Sequence, residues 1–204
     1  MPGGGTLAAL PGNGDLLALL DDGVNSDVVR LYTRFAQDTG VKLTYFVNGQ
    51  YDSCTDNAAL LRPLVDSGQV QLGNHTWSHP DLTTVSKSRI ADELNRNQRF
   101  LEATYGVDAA PYFRPPTENT MPPSITWPPA SATPCRPVVW LAVRFLADHR
   151  GLHRAEGNQY FTPQAIVFGH LNYLPSPPRL PATRQDHPEP NLRTVTLNDV
   201  FIKP

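Results

Sequence analysis

The chain has 204 residues, of which 40% are hydrophobic and 18% charged, with a formal net charge of −2 at pH 7. These values predict one soluble globular domain over residues 1–204 and exclude a disordered chain. The sequence has no basic patch, no apolar run of about 18 residues and no leader-like start, which argues against a nucleic-acid partner, a membrane span and a signal peptide. As written, the chain would stay in the cytoplasm.

Regular elements are predicted in alternation through the first half of the chain. Strands are expected at residues 16–20, 42–47 and 70–72, the last of them running into Gly73-Asn74-His75. Helices are expected after a cap at Asn25 or Ser26 up to Gly40, over residues 57–67, and from the cap Ser86 to Gly106. This order predicts an α/β fold with parallel strands.

Polar residues follow two of these strands. Asp21 and Asp22 come directly after the first strand, and His75 follows the third. Because the carboxyl ends of parallel strands meet at one rim, we expect these side chains to lie together.

Proline dominates much of the second half. Of the 21 prolines, nine lie in residues 111–137 and six in 175–190, and proline at this density blocks helix interiors and central strands. Regular pattern returns at residues 160–169, with 165–168 as a strand, and at residues 192–202.

The cysteines, Cys54 and Cys135, are too few for a disulfide framework or a thiolate zinc site. Any metal must therefore be held by histidine and carboxylate. His75-Thr76-Trp77-Ser78-His79 places two imidazoles four residues apart, a spacing that lets both reach one cation. Alone, such a pair is more often two ordinary polar histidines, and Asp21-Asp22 is more often a helix cap or turn. Together the two patterns indicate a metal site.

These motifs resemble those of the polysaccharide deacetylases that share the NodB homology domain. The family's Thr-Phe-Asp-Asp-Gly is matched by residues 19–23, and its His-Ser/Thr-x-x-His by residues 75–79. Its Arg-x-Pro-Tyr is matched from Arg114, with Thr117 in place of tyrosine. Its apolar strand ending in histidine is matched at residues 166–170. Trp140 is the one plausible remnant of a fourth motif. The pattern is good over residues 12–116 and 160–174.

The resemblance implies a distorted (β/α)7 barrel, irregular in its second half. It implies a metal-dependent hydrolase that removes N-acetyl groups from an N-acetylated glycan, often at the cell envelope or secreted. The implied metal ligands are Asp22, His75 and His79. Zinc is the expected divalent ion because histidine and aspartate suit it, although other divalent ions fit the same set.

The resemblance also assigns the remaining catalytic roles. Asp21 would be the general base, Arg114 would pair with Asp21, and His170 would protonate the departing amine as general acid. A backbone N–H near Thr117 would bind the oxyanion. The residues themselves leave plainer alternatives open, namely a surface ion pair for Arg114 and a core position for His170.

Two aromatic residues are candidates for substrate binding together with Thr117. The rings of Trp77 and Tyr112 could stack on a sugar, and the alternative is ordinary packing. A rival pair, His149 and His153 beside Asp148, also has metal-ligand spacing but lies in a stretch without family pattern.

The stretches 117–157 and 176–190 lose family pattern abruptly and then regain it. We hypothesise that they are translated out of frame, because suitable codons for residues 117–124 hide Tyr-Gly-Lys-His-Asn-Ala-Thr-Val, which restores the missing tyrosine. Resequencing the gene tests this hypothesis.

The sequence leaves two further functions open: an inactive sugar-binding remnant, and a metal amidase for a small non-sugar amide. No pattern predicts an oligomeric state.

Overall fold

The computed structural model of the chain describes residues 5–116, 139–141, 144–145, 161–169 and 192–201. The helices in these ranges are α1 (Ser26–Thr39), α2 (Ser53–Asp56), α3 (Ala58–Asp66), α4 (Lys87–Tyr105) and α5 (Leu197–Phe201). The strands are β1 (Gly5–Leu7), β2 (Leu16–Asp21), β3 (Leu43–Val47), β4 (Val70–Asn74), β5 (Tyr112–Phe113), β6 (Val139–Leu141), β7 (Arg144–Phe145), β8 (Ala165–Phe168) and β9 (Arg193–Val195).

The strands form one sheet in the order β1-β6-β5-β4-β3-β2-β8-β7, and every pairing in the described part of the chain is parallel. The strand β9 pairs with the first three residues of β2, whereas β3 pairs with the last two. A hydrogen bond of 3.0 Å from the Lys42 N–H to Thr194 Oγ1 holds β9 beside the start of β3 as well. The last strand therefore wedges between the amino-terminal ends of β2 and β3.

The helix ends follow the sequence signals. At the start of α1, the side chain of Asn25 accepts hydrogen bonds from the N–H groups of Asp27 and Val28, at 3.0 and 3.2 Å. The helix ends at Gly40, whose φ of 74° is a left-handed conformation that glycine adopts without strain. Of the two candidate caps for this helix, the structure selects Asn25.

The sheet is buried on both faces, as parallel sheets are. Alternate residues of β3 face opposite ways: Tyr45 and Val47 pack in a cluster with α1, α3 and α4, whereas Phe46 packs with Ala18 and Phe168 on the other face. All five residues of β3 and of β4 are buried. The helices thus cover the outer face, and an apolar interior lies behind it.

The predicted α/β fold with parallel strands is confirmed, and the structural comparisons given below identify it as the distorted (β/α) barrel. The expected elements of the first half are all present, and the structure adds β1, α2 and β5, which the sequence did not predict. The short strands β6 and β7 lie inside the range 117–157, for which the sequence predicted a loss of regular pattern. No helix in the described ranges is long and apolar enough to cross a membrane.

Candidate metal centre

The candidate site lies where the adjacent strands β4 and β5 end, together with β2, which is separated from β4 by β3. Asp22 directly follows β2, His75 follows β4, and Arg114 follows β5. Because these strands are parallel, their carboxyl ends lie at the same rim, and the three side chains converge there. Asp22, His75 and Arg114 are 3%, 0% and 6% exposed. The expected gathering of polar residues at this rim is therefore present.

The three predicted metal ligands come together in the structure. One ligand atom from each of Asp22, His75 and His79 can be chosen so that all three lie within 4.8 Å of one another. Nε2 of His75 lies 3.1 Å from Oδ2 of Asp22, and the rings of His75 and His79 meet edge to face with centroids 4.9 Å apart. Asp22 and His75 are buried, and His79 is half-buried, so the cluster opens towards solvent on the side of His79.

The protonation state of His75 is set by its surroundings. Nδ1 of His75 lies 2.7 Å from the carbonyl oxygen of Arg114, an acceptor that requires Nδ1 to carry the proton. Nε2 then presents its lone pair, which accepts a hydrogen bond from the guanidinium of Arg114 at 2.8 Å. Burial and the Arg114 charge lower the pKa of His75 to about 4. His75 is therefore neutral at physiological pH, with Nε2 free of a proton.

Arg114 is an internal residue of the site. Its guanidinium hydrogen-bonds to Oδ2 of Asp22 and lies over the ring of Phe168, with Cζ 4.0 Å from the ring centroid. The alternative of a surface ion pair is therefore wrong, because Arg114 is 6% exposed. The predicted pairing of Arg114 with Asp21 stays a prediction, since the side chain of Asp21 lies outside what the structure describes.

The donor set fits a divalent metal. A neutral imidazole whose Nδ1–H is held by a backbone carbonyl is oriented to ligate through Nε2. Tetrahedral ligands about 2.0–2.1 Å from zinc lie about 3.4 Å apart, so ligand atoms that are up to 4.8 Å apart here would have to approach one another by up to about 1.4 Å. The guanidinium of Arg114 contacts the same two atoms, Asp22 Oδ2 and His75 Nε2, and would have to give way to an ion.

The loop that carries both histidines has an unusual backbone. Thr76 and His79 have φ values of 72° and 58°, in the left-handed region that residues other than glycine seldom adopt. For a β-branched residue such as Thr76 this is an outlier that costs about 1–3 kcal/mol. The rest of the structure must therefore hold this loop in place.

The two aromatic candidates are differently placed. Tyr112 is fully buried, and its hydroxyl donates to the carbonyl of Leu197 at 3.3 Å. The stacking role expected for Tyr112 is wrong, because its ring has no exposed face and is part of the core. Trp77 is half-buried, with the Arg96 guanidinium 4.1 Å from its ring centroid and the Phe100 ring at its edge. Its stacking role stays a prediction.

Several predicted residues lie outside the described ranges. Thr117, His170 and the rival cluster of Asp148, His149 and His153 are among them. Asp21 is the last residue of β2 and Trp140 is the central residue of β6, and for both only the backbone is described. Their predicted roles are not tested by the structure.

Sequence reasoning missed a set of buried polar residues beneath the histidine loop. Their side chains hydrogen-bond to the loop backbone or to the strands that support it, and they are Asn48, Asn74, Glu93 and Asn97. A signal was present for two of them. Glu93 and Asn97 are one helical turn apart and stand within the apolar stripe of Ile90, Leu94 and Leu101 on α4. A polar pair in such a stripe needs buried partners.

The chain matches known proteins mainly in its first half. The sequence profile of the family described as "Polysaccharide deacetylase" matches residues 12–123. The chain is 35% identical over 82 residues to a chitin deacetylase of Pestalotiopsis sp, which covers 40% of this chain and 27% of that protein. It is 36% identical over 73 residues to the peptidoglycan-N-acetylmuramic acid deacetylase PdaA of Bacillus subtilis (strain 168), covering 36% of this chain and 27% of PdaA.

Solved structures share the fold over nearly the whole chain. The Bc1960 peptidoglycan N-acetylglucosamine deacetylase superposes with a TM-score of 0.70 at 18% identity, covering 98% of this chain and 94% of that one. BA3943 of Bacillus anthracis, a carbohydrate esterase family 4 pseudoenzyme, superposes with a TM-score of 0.68 at 16% identity, covering 96% and 68%. The fold is therefore shared by an enzyme and by a protein described as inactive.

The chain spans well under half the length of the curated relatives it matches. The family match nevertheless covers more than half of the 204 residues and includes Asp22, His75, His79 and Arg114. On this match and the shared fold, the chain belongs to the polysaccharide deacetylase family.

Proposed function

We propose that this protein is a metal-dependent hydrolase that removes N-acetyl groups from an N-acetylated polysaccharide. The observation that carries the proposal is the convergence of Asp22, His75 and His79 at the carboxyl rim of the sheet, with His75 fixed in the tautomer that a metal ligand needs. Zinc is the proposed ion, held by these three residues with a further position open to solvent.

The proposed reaction breaks the C–N bond of an acetamide and forms a C–O bond to water. A bound divalent ion would supply Lewis-acid activation of that water at neutral pH. The carboxylate of Asp21 would take one proton from the water as general base. His170 would deliver a proton to the departing amine, so that acetate and a free amino sugar are the products.

Arg114 has a further part in this proposal, beyond its contact with Asp22 in the metal-free protein. As the family motif implies, its guanidinium would pair with Asp21 and hold that carboxylate ionised and oriented as the general base. The backbone N–H near Thr117 would donate to the oxyanion that forms on the acetamide carbonyl. Both roles come from the family motif.

The names of two relatives support the proposed substrate class. One is named for chitin and the other for the N-acetylmuramic acid of peptidoglycan. Chitin and peptidoglycan are both polymers of N-acetylated sugars. We therefore propose an N-acetylated glycan as the substrate and partner of this chain. The half-buried Trp77, two residues from His79, is the described side chain that we propose to lie beside the sugar.

Zinc binding by the purified protein tests the proposal without a choice of substrate. We expect the wild type to bind one equivalent and His79→Ala to bind none, with both folded by circular dichroism. His149→Ala is the matched control, since it removes a histidine from the rival pair and should leave binding intact. Loss of zinc in His149→Ala but not in His79→Ala would assign the ion to the rival pair.

Acetate release then separates the three candidate functions. An active deacetylase frees acetate from N-acetylglucosamine oligomers or peptidoglycan, loses this activity with a chelator and regains it with zinc. A protein that binds zinc and glycan but releases no acetate would be an inactive relative. Acetate released only from small non-sugar acetamides would identify an amidase.

A further inference from the structure

The loop that carries both predicted histidine ligands has two backbone bonds to its neighbours, from the His75 N–H to the Val47 carbonyl and from the Gln50 N–H to the Trp77 carbonyl, and side chains make its other hydrogen bonds. The Thr76 N–H donates to Oδ1 of Asn74 at 2.9 Å, and the His79 N–H donates to Oγ1 of Thr76 at 3.2 Å. The carbonyl groups of His75 and Thr76 both accept from the side-chain amide of Asn48, at 2.6 and 3.1 Å. The loop therefore depends on buried polar groups for its shape.

Glu93 brings a negative charge to this loop from the middle of α4. It is 1% exposed, and its Oε2 accepts from the Ser78 N–H at 2.7 Å while its Oε1 accepts from Ser78 Oγ at 2.8 Å. Arg89, one helical turn earlier and half-exposed, donates to the same Oε1 at 2.6 Å. A buried carboxylate with three donors makes strong, directional hydrogen bonds, so Ser78 is held from both its backbone and its side chain.

Asn97 anchors α4 to the strands below the loop. It is fully buried, and its amide nitrogen donates to the Val47 carbonyl at 2.7 Å and to Oδ1 of Asn74 at 3.0 Å. Its amide oxygen accepts from the Gly49 N–H at 2.8 Å. These bonds fix the helix against β3 and β4. Glu93, one turn away on the same face, is thereby fixed relative to the ends of both strands.

We propose that Glu93 is a positioning residue of the metal site. Its carboxylate holds Ser78 and, through Ser78, the left-handed backbone of His79, so that the imidazole faces Asp22 and His75. Backbone in this region persists only where its surroundings over-determine it, and Ser78 lies between the two left-handed residues of the loop. This inference rests on the proposed function, because it assigns Glu93 to the same metal site.

Metal affinity, measured apart from stability, tests the role. Zinc and cobalt titrations are run on the wild type and on Glu93→Gln, which keeps the shape of the side chain and removes its charge. We expect the affinity for both ions to fall about 10- to 100-fold, the usual effect of losing an outer-shell partner. The visible absorption of the bound cobalt should also change, because His79 no longer holds its position. If Glu93 had a purely structural role, Glu93→Gln would lower the melting temperature and leave the metal affinity and the cobalt spectrum unchanged.

Asp92→Asn is the matched control. Asp92 precedes Glu93 on α4, is exposed and lies 3.6 Å from the same Arg89, but does not touch the loop. The metal affinity and the cobalt spectrum of Asp92→Asn should equal those of the wild type. If Glu93→Gln does not fold, Ser78→Ala replaces it, and this variant should lose affinity by a smaller factor because the bond from its N–H remains.

The outcomes separate this role from the proposed function. Wild-type affinity and spectrum in folded Glu93→Gln, or in Ser78→Ala if the first variant is unfolded, would overturn the positioning role while the metal site stands. A folded wild type that binds neither ion would overturn both proposals.

Discussion

Replacing Arg114 with methionine removes the positive charge beside Asp22. Both residues are nearly out of water, at 6% and 3% exposure. Loss of one partner from a buried ion pair leaves the other charge uncompensated and costs about 3–5 kcal/mol. Methionine keeps an apolar contact with Phe168, whose ring centroid lies 4.0 Å from the guanidinium carbon. We expect the free energy of unfolding of the metal-free protein to fall by about 3–5 kcal/mol, a large part of the usual total of about 5–15.

Urea unfolding followed by circular dichroism measures this loss, first with a chelator and then at one fixed zinc concentration. Zinc should stabilise Arg114→Met more than the wild type, because no guanidinium competes for Asp22 and His75 and the ion supplies the missing charge. Arg99→Met, an exposed substitution on α4, should change stability by less than about 0.5 kcal/mol. A metal-free loss below about 1 kcal/mol in Arg114→Met, or an equal zinc effect in both proteins, would refute the reasoning.

Three further predictions follow from single contacts. The free energy of unfolding of the metal-free protein should fall by up to about 3 kcal/mol as the pH falls from about 6.5 to about 4. The reason is that His75 is protonated in the unfolded chain at a higher pH than in the folded one. Urea titrations at a series of pH values should show this decrease in the wild type and not in His75→Gln. Gly73→Ala would place a methyl group 2.5 Å from Cε1 of Phe46 and should cost about 1–3 kcal/mol. Phe46→Leu should recover part of that cost in a double-mutant cycle, and strictly additive losses would argue against the clash. Asn25→Ala should lower stability by about 1 kcal/mol through loss of the α1 cap, and an unchanged melting temperature would contradict the capping role.

The sequence predicted those parts of the molecule that depend on local pattern. The strands that end at Asp21 and Asn74 and the cap signals at Asn25, Ser86 and Gly106 follow from residues close together in the chain. The gathering of Asp22 and His75 at one rim was predicted from the strand ends, and the ligand set that adds His79 was implied by the resemblance to the family's motifs.

The remaining features of the site depend on contacts between distant residues. Asp22 meets the guanidinium of Arg114 although the two are 92 residues apart, and the charge of Glu93 reaches Ser78 only because α4 packs over the loop. The burial of Tyr112 depends on α5, to which its hydroxyl is bonded. The periodicity of the sequence does not predict these contacts. The clear signal for buried polar contacts was the pair Glu93 and Asn97 in the apolar stripe of α4.

The wedge formed by β9 has a consequence for the order in which the chain folds. The strands β3 and β4 are neighbours in sequence and can pair as soon as they leave the ribosome. The strand β2 can also pair with β3, but its pairings with β8 and β9 have to wait, and its Leu16 N–H donates to the side chain of Gln164, 148 residues away. Such long-range parallel pairing is slow, and it leaves an open strand edge on the nascent chain. The free edge of the strand that leads into Asp21 and Asp22 is thus closed only after residues 165–195 have been made, so the candidate metal site forms late in the folding of these ranges.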